Sequence, residues 1–577
     1  MGFKEEYSLW LSSDATDEQT KSELQGIADD EKEIEERFYK NLEFGTGGLR
    51  GILGAGINRM NVYTVRKATQ GLADYISALG DAAKAKGVAI SYDSRHFSDV
   101  FARETASVLA ANGIKAYLSN RLRPVPELSF AVRHFGCVAG VMVTASHNPP
   151  KYNGYKVYGG DGGQMPPEVA DKVAGIMDSL NIFADVKTTD FNNAVNDGLI
   201  VTFGDEFDDV YLAKVLEQRL NPEAAQVVGD KFKIVYTPIH GSGNIPVRRA
   251  LDMAGYKNVI VIKEQEMPDG SFPTVKSPNP EYKEAFTIAI EKAKEENADF
   301  IIGTDPDCDR VGVVVRNNEG EYIALTGNMV GALLTDYILG SMKTDGTLPE
   351  NGVVIKTIVT SYMADTICKS YGVEVINTLT GFKFIGEKIK EFEDNGNYRT
   401  FLFGFEESYG YLKGTYARDK DGVVASMLIA EMAAWYRIKG MSLYEGLCEL
   451  YKKYGTFKEN LLSLTYEGMA GAEKIKNIMA AIRKNPPKET AGLKVKYFND
   501  YSCSVKADLS TGATYEITLP KSNVLLFELE NDCWWAARPS GTEPKIKFYF
   551  GAKGETADIA EHRLAAIKAS VTEMTEN

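Results

Sequence analysis

Apolar runs that stop abruptly at polar or glycine-rich loops set the rhythm of this chain. From Val138 to Val143 the residues are almost continuously apolar, the pattern of a strand covered on both faces. The run gives way to Thr144-Ala145-Ser146-His147-Asn148 and then to Pro149 and Pro150, which neither extend a strand nor enter a helix interior. This predicts a rigid loop at the carboxyl end of a buried strand, presenting the Ser146 hydroxyl where open α/β sheets bind their ligands. The same alternation of strand and amphipathic helix fills the surrounding segment. Strands are expected at 88–92 and 114–118, with helices at 98–112 and 127–135.

The rhythm recurs twice. It predicts strands at 232–236, 258–262 and 300–302 around helices through Arg248 and over 283–294, and then strands at 353–359, 373–376 and 400–403 around helices at 362–371 and 384–392. One long amphipathic helical stretch is expected over 422–454. Antiparallel strands at 524–529, 533–537 and 545–550 and a closing helix at 556–575 complete the chain. The fold class is therefore α/β: three similar doubly wound α/β domains and a C-terminal α+β domain, divided as 1–205, 206–322, 323–450 and 451–577. Residues 1 to about 43, acidic and helical in pattern, read as a solvated arm on the first domain.

Composition narrows the function classes. The 577 residues, 44% hydrophobic and 25% charged, have the balance of a soluble globular protein of several domains. No apolar stretch reaches membrane-spanning length, and the first residues lack the apolar core of a signal peptide. Six cysteines without paired spacing argue against a disulfide framework or a zinc site and for a reducing cytoplasm. A formal net charge of −15 argues against a nucleic-acid partner. An anionic ligand would need positive charge gathered locally.

Candidate chemistry collects at four loops. The first is the Ser146 loop itself. After the strand at 300–302 comes Asp305-Pro-Asp307-Cys308-Asp309-Arg310. In an extended loop alternate residues face the same way, so the three carboxylates can converge on one hard cation, for which Mg²⁺ is suited. A calcium EF-hand is excluded, because its sixth and twelfth positions are Arg310 and Arg316. A plain acidic turn gains nothing from packing three like charges. Arg310 beside them suggests a phosphoryl group bridging cation and guanidinium. Cys308, a poor Mg²⁺ ligand, is expected to point into the fold.

The third loop, Gly404-Phe405-Glu406-Glu407-Ser408-Tyr409-Gly410, can bind vicinal sugar hydroxyls or simply cap a helix. The fourth, Arg538-Pro-Ser540-Gly541-Thr542-Glu543-Pro544-Lys545, has the hydroxyls, glycine and guanidinium of a phosphate cradle, in a last domain that can close as a lid. Weaker signals come from Arg50 in a glycine-rich segment lacking a P-loop lysine, Lys383 in a strand-end loop, and the charged turn Arg418-Asp-Lys-Asp-Gly422, equally a surface feature. His240 is expected to be structural, and His96 and His134 show no partner in the sequence.

Together Thr144-Ala-Ser-His-Asn-Pro149, Asp305-x-Asp307-x-Asp309-Arg310, Gly404-Phe-Glu-Glu-Ser-Tyr-Gly410 and Arg538-Pro-Ser-Gly-Thr-Glu-Pro544 resemble the α-D-phosphohexomutase superfamily, with the longer bacterial phosphoglucomutases as the nearest type. The resemblance covers nearly the whole chain. It implies four domains around a central cleft and interconversion of glucose 1-phosphate and glucose 6-phosphate. Ser146 would carry the transferable phosphoryl group. Asp305, Asp307 and Asp309 would hold Mg²⁺ together with an oxygen on Ser146, and hexose 1,6-bisphosphate would be both activator and intermediate.

By the same resemblance Lys156 would assist proton transfer, Arg50 and Arg310 would surround the phosphoserine, and Glu406 and Ser408 would grip sugar hydroxyls. Arg538, Ser540, Gly541 and Thr542 would hold the non-reacting phosphate. Thr144, His147, Lys383 and Arg418 would contact substrate. Cys308 and Phe405 depart from the usual pattern. The implied partner is a small-molecule sugar phosphate, with no nucleic acid, membrane or obligate protein partner. Mannose, glucosamine and pentose phosphates stay open as substrates. A Mg²⁺-dependent sugar phosphatase, which would leave Ser146 idle, and a sugar-phosphate binder without catalysis are the rival classes.

Overall fold

A computed structural model of the chain describes residues 2–576 apart from Thr46, Glu467 and residues 541–544. The chain divides into two compact units, residues 1–325 with 385–397 and 410–438, and residues 326–384 with 398–409 and 439–577.

The first unit holds two mixed sheets. In one, β1 (Gly48–Ile52), β2 (Val88–Tyr92), β3 (Ala116–Ser119), β4 (Ala139–Val143), β5 (Tyr152–Gly159) and β6 (Ile200–Phe203) lie in the order β1-β5-β4-β2-β3-β6. Strands β2, β3, β4 and β6 form the parallel centre, and every residue of β4 is buried, as its apolar run predicts. Strand β5 runs antiparallel to both β4 and β1. The glycine-rich segment around Arg50 is thus an edge strand, not a ligand-cradling loop; Gly48 and Gly51 break the apolar alternation that would have marked it.

The other sheet comprises β7 (Ile234–Thr237), β8 (Val259–Val261), β9 (Phe300–Thr304), β10 (Val311–Arg316) and β11 (Tyr322–Leu325), in the order β11-β10-β9-β7-β8. Strand β7 is parallel to β8 and β9, but β9 and β10 form an antiparallel hairpin with Thr304 opposite Val311. The aspartate motif occupies the hairpin turn.

The N-terminal arm forms three short helices, Phe3–Ser12, Glu18–Gln25 and Glu31–Phe38. It is less solvated than its acidity suggests. Trp10 is fully buried in a cluster with Leu24, Ile34, Phe38 and Tyr63, and its ring meets Tyr63 edge-on at 5.1 Å.

The expected helical stretch over 422–454 is two helices, Gly422–Ile438 and Leu443–Tyr454. The first is buried on nearly all sides and so is not amphipathic. The second starts at a capping box between Ser442 and Glu445, which ends any continuous helix.

In the second unit, β12 (Gly352–Thr357) lies between β13 (Glu374–Thr378) and β14 (Thr400–Phe405), parallel to both. Helix Gly327–Thr344 packs on this sheet through Gly331, where a Cβ would stand 2.2 Å from the Phe405 ring. Phe405, one of the two residues that depart from the usual pattern, is thus accommodated by a glycine on the neighbouring helix. Gly331→Ala is expected to lower stability by about 1–3 kcal/mol through overpacking, read as a lower thermal midpoint; a midpoint at or above that of the parent would contradict this packing account.

The C-terminal part is an antiparallel sheet in which Thr456–Thr465, Lys545–Gly554, Trp534–Pro539, Leu525–Leu529 and Leu493–Asp500 are successive neighbours. Helices Gly468–Lys484 and Ala557–Glu576 belong to the same part, whose core includes Phe527 stacked on Trp535 at 4.0 Å. Strand Thr456–Thr465 was not evident in the sequence. Among the described residues no helix is long and apolar enough to cross a membrane.

Candidate active site

Strand β4 delivers Ser146 to the carboxyl edge of its sheet with a left-handed backbone, φ 52°, and only 4% exposure. Its amide donates to Thr144 Oγ1 at 2.8 Å, and Thr144 in turn donates to Asp93 Oδ2 at 2.6 Å. The Ser146 hydroxyl donates to Asp305 Oδ2 at 2.9 Å and lies 3.1 Å from His147 Nδ1. Burial, with the nearby positive charge of Arg310 and Arg50, holds the His147 imidazole well below the usual histidine range.

The carboxylates converge by a different geometry from the extended loop expected. Residues 305–310 form a tight turn in which Asp305 Oδ1 accepts the amides of Asp309 (3.1 Å) and Arg310 (3.0 Å). Cys308 adopts φ 50° at the bend and is fully buried, as expected. Three carbonyls of the turn are tied to other parts of the unit. Pro306 O accepts Ser242 N (2.8 Å), Asp307 O accepts Val125 N (2.9 Å) and Cys308 O accepts Gly422 N (3.0 Å). The approach at Gly422 is close, since a Cβ there would stand 2.5 Å from Cys308 O.

Oxygens of Asp305, Asp307 and Asp309 lie within 4.8 Å of one another. Asp307 Oδ1 and Asp309 Oδ1 are buried without a hydrogen-bond donor. Buried carboxylate oxygens without hydrogen-bond donors are costly, and a hard cation satisfies them. The residues present therefore fit a divalent metal ion.

The electrostatics agree. Burial and the adjacent Asp307 and Asp309 push Asp305 well above the usual carboxylate range. Burial would raise Asp307 too, but the Lys156 ammonium holds it below that range. Lys156 extends from β5 to Asp307 Oδ2 at 2.8 Å and stands 3.8 Å from Asp309 Oδ2. Arg310 pairs with Glu281, and Lys420 reaches Asp309 Oδ2 at 3.1 Å. Arg50 lies opposite Gly154 in the β1–β5 register.

The second unit carries the other predicted groups. Glu406 is buried and accepts the Gly381 amide at 2.9 Å. Glu407 accepts the hydroxyls of Thr357 (3.0 Å) and Thr360 (3.1 Å), which makes it a brace for the loop. Ser408 is half-buried, and Lys383 opens helix Lys383–Asp394 with its ammonium 5.0 Å from the Phe384 ring. Arg538 lies opposite Lys547 in the antiparallel sheet, and the Ser540 amide donates to Lys545 O at 2.7 Å. Gly541 and Thr542 lie outside the described residues.

Comparison with known proteins matches residues 41–181, 209–320 and 326–454 to the phosphoglucomutase/phosphomannomutase α/β/α domains I, II and III, and residues 503–569 to the C-terminal domain of the same family. The chain belongs to the phosphoglucomutase/phosphomannomutase family. It is an enzyme of the phosphohexomutase kind, an isomerase acting by intramolecular phosphoryl transfer.

It is 38% identical over 528 residues to a phosphoglucomutase of Staphylococcus saprophyticus, covering 92% of this chain and 93% of the relative. It is 36% identical over 541 residues to a phosphoglucomutase of Staphylococcus aureus, covering 93% and 94%. Among solved structures, parafusin, a phosphoglucomutase from Paramecium, superposes with TM-score 0.69 at 17% identity over 93% of this chain and 95% of that one. A phosphoglucomutase/phosphomannomutase family protein from Burkholderia thailandensis gives TM-score 0.65 at 18% identity over 92% and 96%. At such identities the structures support the fold.

Two of the residues expected to contact substrate are committed within the fold. Arg418 is fully buried, its guanidinium against Glu393 and the Ala417 carbonyl at 3.2 Å. Thr144 is likewise fully buried, its hydroxyl donating to Asp93 and accepting the Ser146 amide, which braces the loop.

Sequence reasoning missed Lys420, Asp93 and Arg95. Lys420 stands two residues beyond the arginine singled out, in a charged turn that reads equally as a surface feature. Asp93 and Arg95 follow β2, a strand end, which was the available signal. His240, as expected, is structural, its Nε2 2.9 Å from Thr274 Oγ1.

Proposed function

We propose that this enzyme interconverts glucose 1-phosphate and glucose 6-phosphate through a phosphoryl group carried on Ser146, with Mg²⁺ held by Asp305, Asp307 and Asp309. The observation that carries the reading is the Ser146 hydroxyl, 2.9 Å from Asp305 Oδ2, beside two buried carboxylate oxygens without donors. The glucose preference rests on relatives named phosphoglucomutase.

Mg²⁺ bound to the triad would neutralise charge on the phosphoryl oxygens. The phosphoserine ester O–P bond breaks as a new O–P bond forms to the free sugar hydroxyl, giving the hexose 1,6-bisphosphate. The other phosphoryl group then returns to Ser146 once the intermediate has turned. Lys156 assists passage of the sugar hydroxyl proton to the departing Ser146 oxygen, and Arg310 and Arg50 take the transferring oxygens. Glu406 and Ser408 take sugar hydroxyls; Arg538 and Ser540, with Lys383 and the residues at 541 and 542, take the non-reacting phosphate. His147 holds the seryl oxygen. The left-handed backbone and paired prolines keep that oxygen still, as an in-line transfer requires.

The purified enzyme is expected to carry one phosphoryl group by intact-protein mass spectrometry. With Mg²⁺ and trace glucose 1,6-bisphosphate it should turn over glucose 1-phosphate at least about tenfold faster, in kcat/KM, than the mannose, glucosamine or pentose 1-phosphates. A different sugar leading this panel would reassign the substrate and leave the mechanism. Steady release of inorganic phosphate without isomerisation would instead identify a phosphatase.

A further inference from the structure

One buried side chain spreads across several carbonyls of the serine loop. Arg95 is completely buried, and its guanidinium spreads across the loop that carries Ser146. Nη2 donates to the Ser146 carbonyl at 2.5 Å and to the Asn148 carbonyl; Nη1 donates to Pro149 O at 3.0 Å and Tyr152 O at 2.9 Å. Nε faces Asp93 Oδ2 at 3.4 Å, and the Arg95 amide donates to Asp93 Oδ1 at 2.9 Å. The buried ring of Phe272 lies 5.1 Å from the guanidinium carbon and backs it.

The loop needs an outside donor. Pro149 and Pro150 have no N–H. The loop closes on itself through Asn148 N to Ala145 O (3.2 Å) and Tyr152 N to Pro149 O (3.1 Å). The Ser146, His147 and Asn148 carbonyls take side-chain donors from outside it, Ser277 Oγ meeting His147 O at 3.0 Å. Ser146 is buried and Asn148 and Tyr152 are half-buried, so their carbonyls require partners. A planar fork with five donors meets several carbonyls at fixed angles; an ammonium, a compact charge with three rotatable donors, cannot.

Asp93 completes the arrangement by orienting both sides of the loop's root. It accepts from Arg95 and from Thr144, whose hydroxyl in turn accepts the Ser146 amide. The seryl amide is thus fixed through Asp93 and the seryl carbonyl through Arg95.

We infer that Arg95 is a positioning residue for phosphoryl transfer, setting the Ser146 oxygen in line with its phosphoryl partner by clamping four carbonyls of the loop. This rests on Ser146 being the phosphoryl carrier. Arg95 touches no reacting atom, so its effect should appear in the transfer step and not in the grip on the sugar phosphate.

The test is Arg95→Lys in the full-length enzyme with Mg²⁺. Unphosphorylated protein is mixed with glucose 1,6-bisphosphate, and the rate at which Ser146 gains its phosphoryl group is followed by intact mass, alongside kcat and KM for glucose 1-phosphate. Phosphorylation rate and kcat should fall about a hundredfold, the cost of an ångström-scale misplacement, with KM within about threefold of the parent. Phosphorylation at the parental rate in folded Arg95→Lys overturns the proposal, as does a rise in KM that accounts for the loss. If Arg95→Lys is not recovered folded, Phe272→Leu, which leaves every donor but removes the backing ring, should show the same split at about a tenth of the size. An unchanged kcat there overturns the clamp. A parent enzyme that never gains a phosphoryl group on Ser146 defeats the carrier reading instead, a result separable from any effect of Arg95.

Discussion

Ser146→Ala is expected to abolish isomerisation, with kcat/KM for glucose 1-phosphate reduced on the order of 10⁴-fold or more, as when a nucleophile is removed. The substitution removes one oxygen and little else. The residue keeps the hydrogen bond from its amide to Thr144 Oγ1, and alanine at φ 52° carries much the same backbone strain as the serine it replaces. Folding should therefore survive, with a thermal midpoint within a few degrees of the parent. What disappears is the one hydroxyl that meets the carboxylate triad, 2.9 Å from Asp305. Two measurements bear on the variant. A coupled assay for glucose 6-phosphate should fall to background, and the mass of the protein should show no phosphoryl group under conditions that charge the parent. Parental activity in Ser146→Ala would falsify the phosphoserine mechanism.

Asp307→Asn is the second large effect. Asp307 supplies Oδ1, buried without a donor and available to a cation, and Oδ2, 2.8 Å from Lys156. The amide keeps the shape but loses the charge that both need. Activity should drop about 10³-fold, in line with losing several kcal/mol of charge stabilisation at a transferring phosphoryl group. The variant also separates metal binding from catalysis. In the parent, Mg²⁺ at a hundred times its dissociation constant should stabilise the fold by about 2.7 kcal/mol, since only the folded chain gathers the three carboxylates. A thermal scan with and without Mg²⁺ reads this directly. Asp307→Asn should lose most of the Mg²⁺-dependent rise, and Asp309→Asn should behave alike. A full Mg²⁺-dependent rise in both variants would mean that the ion binds elsewhere.

What the sequence disclosed, and what it concealed, divides along a physical line. The Ser146 loop was legible because an apolar run ending in two prolines is a local signal. The carboxylate triad was legible from spacing, although the reason given was wrong. The residues meet through a hairpin turn organised by Asp305 Oδ1, and not through alternation along an extended segment. Strands β1 and β5 were hidden because their pairing is antiparallel at a sheet edge and glycines interrupt the alternation.

The charged turn at 418–422 shows the limit most clearly. Arg418 and Lys420 are two residues apart and chemically similar, yet one is spent on Glu393 and the other reaches Asp309. That choice is made by the packing around them. Arg95 was concealed for a related reason. A side chain that binds backbone carbonyls leaves no complementary residue type in the sequence, so nothing beside Ser146, Asn148 or Tyr152 advertises the arginine that holds them.

The aspartate turn has carbonyls fastened to Val125, Ser242 and Gly422, one before it in the chain, one closer before it, and one more than a hundred residues after. The chain emerges from the ribosome in order, and long-range contacts must wait for their later partner. By the time Asp309 has been made, Gly422 and Lys420 have not. The nascent protein therefore holds three closely spaced aspartates whose last fastening and last countercharge are still to be synthesised. The turn closes early, on residues already made, and is completed only when the chain more than a hundred residues later arrives.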